Sequence, residues 1–99
     1  MFIKILGYQW EVVISKEVTA EGNCYGSTHQ SLQKIFLEPN MAPQHLDGTL
    51  LHELLHAIWW QMGLGKQEWM DPKKEEVIVH ALAQGLHTVL TDNPDLLSK

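Results

Sequence analysis

The stretch TLLHELLHAIWW, residues 49–60, combines a helical pattern of apolar residues with two histidines four positions apart. On an α-helix a step of four residues turns about 400°, so His52 and His56 lie on one face, one turn apart. Glu53 lies about 100° round the helix from His52. Burying polar rings among leucines costs free energy unless they have partners. The pattern therefore predicts a helix whose two imidazoles share a partner.

This stretch belongs to a longer helical pattern. Over residues 43–62 apolar side chains recur every three or four positions, Pro43 suits a first turn, and Gly63 suits a helix end. The same spacing returns over residues 73–91. The pair Asp71–Pro72 is a typical start signal for that second helix, and Asn93–Pro94 breaks it. Two long helices are predicted in the second half of the chain.

The first half has the alternation of β-strands. Residues 8–15 alternate apolar and polar side chains, which predicts a half-buried strand that could begin earlier, in FIKIL. Residues 24–28 and 33–38 flank a polar turn and predict a hairpin, which Pro39 ends because it has no N–H for a sheet. We expect an α+β domain with a three-stranded antiparallel sheet packed on the two helices.

The composition of the chain limits the classes of partner that we expect it to bind. The 99 residues carry a net charge of −5, with seven lysines spread along the chain and no arginine, so nucleic acid is not expected to bind. No segment of the sequence approaches the roughly 18 consecutive apolar residues of a membrane span. The N-terminus does not have the pattern of a signal peptide. With Cys24 as the single cysteine, no disulfide forms within the chain. We expect one cytoplasmic domain.

His52, Glu53 and His56 form the pattern H-E-x-x-H, in which two histidines bind zinc and the glutamate acts as general base. Zinc lowers the pKa of a coordinated water toward roughly 7, and the glutamate takes its proton as the water attacks a carbonyl. Such a site needs a third protein ligand. The extended pattern with a third histidine on the same helix is excluded, because those positions hold Trp59 and Met62.

The third ligand must therefore come from elsewhere. The start of the second helix offers Glu75, Glu76 and His80. Spacing mildly favours Glu75, which extends backwards an expected apolar face, whereas Glu76 lies on the flank of that face with Val79, Ala83 and Leu90. The expected apolar face comprises Ile78, Leu82, Leu86 and Val89.

The remaining histidines are expected on the surface. His80 shares the expected polar side of the second helix with Gln84 and His87, and is read as solvated. His29 and His45 fall in a predicted turn and in the first turn of a helix, and both are read as surface residues.

The strings LLHELLHAI, EEVIVHALAQGL and DNP, in that order and spacing, resemble the minimal gluzincins, small zinc metallopeptidase domains often carried by phages and prophages. The likeness covers most of the chain. It implies a zincin-like fold, zinc bound by His52, His56 and a glutamate, and peptide-bond hydrolysis with Glu53 as general base and acid. Aligned on Ala83 and Leu86, the family pattern places the ligand at Glu76, while Glu75 stays open.

The resemblance also implies where a peptide substrate binds and how the C-terminal segment could inhibit the site. An extended peptide is expected to pair with the strand near residues 34–38. Residues 92–99 are a candidate inhibitory tail, with the Asp95 carboxylate near the metal and two leucines filling side-chain pockets. His87 and Tyr25 are the candidates for the residue that larger gluzincins use to stabilise the oxyanion.

Two alternatives remain open from the sequence. One is a zinc-binding protein without peptidase activity, in which the metal is structural or serves a partner. The other is a metal-free helical interaction protein, in which the H-E-x-x-H string arose by chance and the two histidines are half-buried imidazoles.

Overall fold

A computed structural model describes residues 1–16 and 25–98 of the chain, and Cys24 lies outside this part. The described part has an α+β architecture, as expected, and contains two single 3₁₀ turns, Gln30–Leu32 and Leu64–Lys66. The strands are β1 (Phe2–Ile5), β2 (Tyr8–Ile14), β3 (Gly26–His29) and β4 (Lys34–Leu37), and the helices are α1 (Pro43–Gln61) and α2 (Pro72–Asp92).

The sheet differs from the expected three antiparallel strands. Its order is β1-β2-β4-β3, with four strands among the described residues, and the β2–β4 pair is parallel. The extra strand is β1, which the turn at Leu6 and Gly7 joins to β2 as a separate antiparallel strand. Both turn residues have positive φ, 50° and 85°, as a two-residue hairpin turn of type I′ requires. The expected three-stranded antiparallel sheet is therefore wrong in strand number and in the direction of one pair.

Side-chain chemistry accounts for the order of β3 and β4. β4 carries Ile35 and Leu37, which are 0% and 2% exposed, and it lies in the interior of the sheet beside β2. β3 reads GSTH and lies at the edge, where it needs less apolar surface. Because β4 is paired on both sides, the strand expected to bind an extended peptide cannot do so. β3, like β1, has an edge that no other described strand pairs with.

α1 lies across the sheet, and the core is formed between them. Trp10 of β2 and Ala57 of α1 are fully buried there with Ile35. The indole Nε1 of Trp10 donates a hydrogen bond of 2.8 Å to Oε1 of Gln61, at the end of α1. A buried indole N–H needs such an acceptor. This packing holds α1 in one position relative to the sheet.

The ends of both helices follow the sequence signals. α1 begins at Pro43, and Gly63 follows its end with φ 73°. α2 begins at Pro72, and Asp71 caps it by accepting a hydrogen bond of 2.8 Å from the backbone N–H of Lys74. Neither α1 nor α2 contains an apolar stretch long enough to cross a membrane.

α2 packs against α1 through a different face from the expected one. Its buried side chains are Val79, which is 0% exposed, and Ala83. Three of the residues assigned to the apolar face are between 42% and 49% exposed: Leu82, Leu86 and Val89. The expected face was therefore wrong, and its error also removes the reason for preferring Glu75. Small side chains let two helices approach closely, and spacing alone could not rank them above larger leucines.

Candidate metal centre

The two motif histidines and one glutamate of α2 meet between the helices. Nε2 of His52 lies 2.9 Å from Oε1 of Glu76, and Nε2 of His56 lies 3.0 Å from Oε2 of the same carboxylate. One ligand atom from each of these three residues lies within 4.8 Å of the others. Two nitrogens and a carboxylate at this separation could hold one metal ion.

Glu75 contacts the other side of His56. Its Oε2 lies 2.6 Å from Nδ1 of His56, and its side chain is 20% exposed, against 58% for Glu76. A carboxylate oxygen accepts hydrogen bonds, so Nδ1 of His56 donates to Glu75 in the tautomer that carries the proton on Nδ1. Histidines that bind metals commonly donate their second N–H to a carboxylate, which orients the ring. The two glutamates therefore contact different nitrogens of one imidazole.

Glu76 faces Nε2 of both histidines, and each contact needs either a proton on that nitrogen or a cation between the two atoms. With its proton on Nδ1, a neutral His56 presents a lone pair on Nε2, and that lone pair faces a carboxylate oxygen. Protons on the nitrogens of His52 and His56 satisfy Glu76, and a single cation that replaces those protons satisfies it as well. The arrangement has the donor set of a catalytic zinc site with two histidines and one glutamate.

Glu53 is the only charged residue among the described ones that is classed as buried, at 9% exposure. The hydroxyl of Thr28, on the edge strand β3, lies 2.8 Å from Oε1 of Glu53 and 3.0 Å from its backbone carbonyl oxygen. A hydroxyl has one proton, so it donates to one of these oxygens at a time. Thr28 thereby restrains the carboxylate of a residue that lines the same cleft as His52 and His56.

Gly26 allows β3 to approach α1 this closely. A Cβ at this position would lie 2.9 Å from Cγ of Glu53, 2.9 Å from Cγ2 of Thr49 and 3.3 Å from the carbonyl oxygen of Phe36. The sequence reasoning missed both Thr28 and Gly26. A glycine inside a strand pattern signals a close approach of this kind, whereas nothing near Thr28 in the sequence indicates its contact with Glu53.

A cleft of about 690 Å³ opens beside the cluster. It is lined by the edge of β3 and by both helices, and five of the six histidines line it: His45, His52, His56, His80 and His87. His80 is exposed, as expected, but its ring centroid is only 5.8 Å from that of His52.

Three other histidines, His29, His45 and His87, each lie beside a specific neighbouring residue. His87 is half-buried and lies beside Gly48 of α1, and His45 has its ring centroid 4.4 Å from that of Tyr25. His29 lies on β3, 3.1 Å from the hydroxyl of Ser27, and does not line the cleft. His87 was expected on the polar side of α2, and it is instead half-buried beside α1, because the α1-facing side of α2 was misassigned.

The C-terminal segment follows the end of α2 as a short turn. The backbone N–H of Leu96 donates to the carbonyl of Asn93, and that of Ser98 donates to the carbonyl of Asp95. Of the described residues 93–98, Pro94 lines a second groove between the two helices, and none lines the cleft. The inhibitory role of residues 92–99 stays a prediction.

No protein-family model matches the chain, and comparisons with curated proteins and with solved structures gave no match either.

Proposed function

We propose that the chain is a zinc-dependent peptidase of the minimal gluzincin type. The observation that supports this most strongly is the convergence of His52, His56 and Glu76 within 4.8 Å. These residues fit zinc by type and number. In this proposal the three are the ligands, and Glu75 orients His56 through Nδ1. Zinc bound by these residues would supply Lewis-acid chemistry: it would polarise a peptide carbonyl and make water acidic enough to lose a proton near neutral pH.

Glu53 moves the proton in this reaction. Its carboxylate takes a proton from the attacking water as general base, and returns it as general acid to the amine that leaves when the C–N bond breaks. Thr28 donates to Oε1 and limits the rotation of the carboxylate. Burial between α1 and β3 keeps competing water away from that side. Each of these tasks belongs to a residue of the chain itself.

The edge of β3 that no other described strand pairs with offers a place for the substrate backbone. The N–H of Glu38 donates to the carbonyl of Tyr25, and hydrogen-bonded pairs alternate along an antiparallel ladder. The backbone groups of Gly26 and Thr28 therefore face away from β4. An extended peptide could pair with them as an added strand. The scissile carbonyl of that peptide would then lie next to Glu53, His52 and His56.

The test combines zinc content with cleavage. Protein purified without chelators should hold about one zinc per chain, and it should cleave a mixed peptide library with products read by mass spectrometry. Glu53→Gln should retain zinc and lower the cleavage rate by about 10²–10⁴-fold. Glu68→Gln, an exposed glutamate in the loop before α2, is the matched control and should leave the rate unchanged.

The outcomes separate the proposal from its alternatives. A Glu53→Gln variant that cleaves as fast as the parent contradicts the mechanism. Zinc without cleavage, both in the full chain and after removal of residues 93–99, favours a binding protein. Cleavage only after that removal establishes the inhibitory tail. A zinc content near zero, with no rise in melting temperature when zinc is added, favours the metal-free reading.

A further inference from the structure

α2 carries an apolar surface that no described element covers. We define the outer stripe by four residues of which one is half-buried and three are 42–49% exposed: Ile78, Leu82, Leu86 and Val89. Successive residues turn about 100° on a helix. The outer stripe therefore lies on one side of Val79, and the two histidines of α2 that line the cleft, His80 and His87, lie on the other side. Gly85 falls at the edge of the stripe, and a Cβ there would meet nothing within 4 Å.

Opposite charges flank the two ends of this stripe. Lys74 and Asp92 lie about five turns and about 27 Å apart on the helix, and therefore point to the same side. Both are exposed, and both lie next to the stripe. The ammonium of Lys74 donates to the carbonyl of Trp69 at 3.1 Å and is 3.9 Å from Oδ2 of Asp71. With three N–H donors it can bind a further carboxylate.

We propose that the outer stripe is an interface with a second copy of this chain. The two α2 helices pair antiparallel about a twofold axis perpendicular to both. Such an axis keeps a residue on the same edge of the interface and exchanges the two ends of the helix. Lys74 of each copy therefore meets the partner's Asp92. The apolar residues are buried between the helices, and Gly85 permits close approach.

The charges of Lys74 and Asp92 favour a second copy of this chain as the partner that covers the outer stripe. Each copy has a net charge of −5, so two copies repel each other unless positive groups meet negative ones at the contact. Antiparallel pairing brings each Lys74 to the partner's Asp92, whereas parallel pairing places both copies of Lys74 at one end of the interface and both copies of Asp92 at the other. The contact of two helices of about 30 Å falls at the small end of specific interfaces, so a reversible, concentration-dependent dimer is expected. The cleft stays open because its histidines lie on the other side of α2.

Sedimentation equilibrium over a range of concentrations tests the interface, with a chelator and a reducing agent present to exclude bridging by metal or through Cys24. The mass should rise from that of one chain of 11.3 kDa toward twice that value. Leu82→Glu should weaken dimerisation by at least about tenfold, because it places two carboxylates in the apolar contact. Val77→Glu is the matched control. Val77 is 70% exposed on the same helix but outside the stripe, and its substitution should leave the dimer intact.

Exchanging the charges tests the direction of pairing. Lys74→Asp and Asp92→Lys should each weaken the dimer by about tenfold at low salt, since each creates like-charge contacts. The double variant should recover most of the parent affinity. A monomeric mass up to about 1 mM overturns the proposal and leaves the stripe to another partner. So does a dimer that tolerates Leu82→Glu, or a double variant whose two losses simply add. Far-UV circular dichroism of each variant checks the fold, and none of these results depends on zinc or cleavage.

Discussion

The two helices contribute to one site but are held in very different ways. α1 contacts β1, β3 and β4 on one side and α2 on the other, and its central residues Glu53 and Ala57 are buried. α2 packs mainly on α1, and its buried side chains are Val79 and Ala83. The position of His52 and His56 is therefore set by the hydrophobic core. The position of Glu76 depends on a narrow contact and on the histidines it faces.

The largest effect is expected where α1 meets the sheet. Trp10→Ala removes a fully buried indole and the hydrogen bond to Gln61, and should lower the free energy of unfolding by about 3–5 kcal/mol. Trp69→Ala, in the exposed loop before α2, is the control and should cost far less. Urea denaturation measures both. Similar losses for the two variants would mean that the core does not hold α1 as described.

The next effect concerns α2. A cation that binds His52, His56 and Glu76 only in the folded chain should add about 2.7 kcal/mol at a free concentration of 100 times its Kd. Thermal melts with and without zinc measure this gain. Glu76→Gln should abolish most of it. Glu75→Gln should lower the affinity by about 10–100-fold, because the variant loses the carboxylate that orients His56. A larger loss for Glu75→Gln than for Glu76→Gln would reverse the two roles.

A smaller loss is expected at the contact of β3 with α1. Gly26→Ala introduces a Cβ 2.9 Å from the side chains of Glu53 and Thr49, and overpacking of this kind costs about 1–3 kcal/mol. Glu53 moves with it, so cleavage should fall as well. Chemical denaturation and the peptide assay report the two consequences. Unchanged values in both would show that the strand and the helix have room to separate.

The smallest effect has the opposite sign. Gly85→Ala, on the open side of α2, adds a methyl group that meets nothing within 4 Å, and should stabilise the helix by about 0.5–1 kcal/mol. The measurement belongs at low protein concentration, where the chain is monomeric. Destabilisation there would indicate that the outer face of α2 is covered within the chain itself.

Much of this structure follows from local signals. Helix α1 begins at Pro43 as predicted and ends one residue before the expected position, and α2 begins at Pro72 after its predicted Asp71 cap. The hairpin of β3 and β4 overlaps the expected segments, but β3 begins after Tyr25 and includes His29, which was expected in the turn, and β4 covers residues 34–37 of the expected 33–38. Local hydrogen bonding and steric rules determine such ends, so a short sequence window contains the information.

The candidate site was predicted less completely. The four-residue spacing of His52 and His56 identified two members, because that spacing alone puts them on one face of a helix. Spacing mildly favoured Glu75 over Glu76, because the buried face of α2 was misread. The contacts with Thr28 and with His80 join residues distant in sequence, and no local pattern indicates them.

The sequence by itself determined the helices, their ends, most of the strands and the pair of imidazoles on one helical face. Tertiary structure alone decided the parallel pairing of β2 with β4, the edge position of β3 and the different contacts of the two glutamates. The physical reason is the distance along the chain over which each feature is determined. Helix ends and turns depend on neighbours within a few residues, whereas strand order and the facing side of α2 depend on which arrangement buries Trp10, Ile35 and Val79 together.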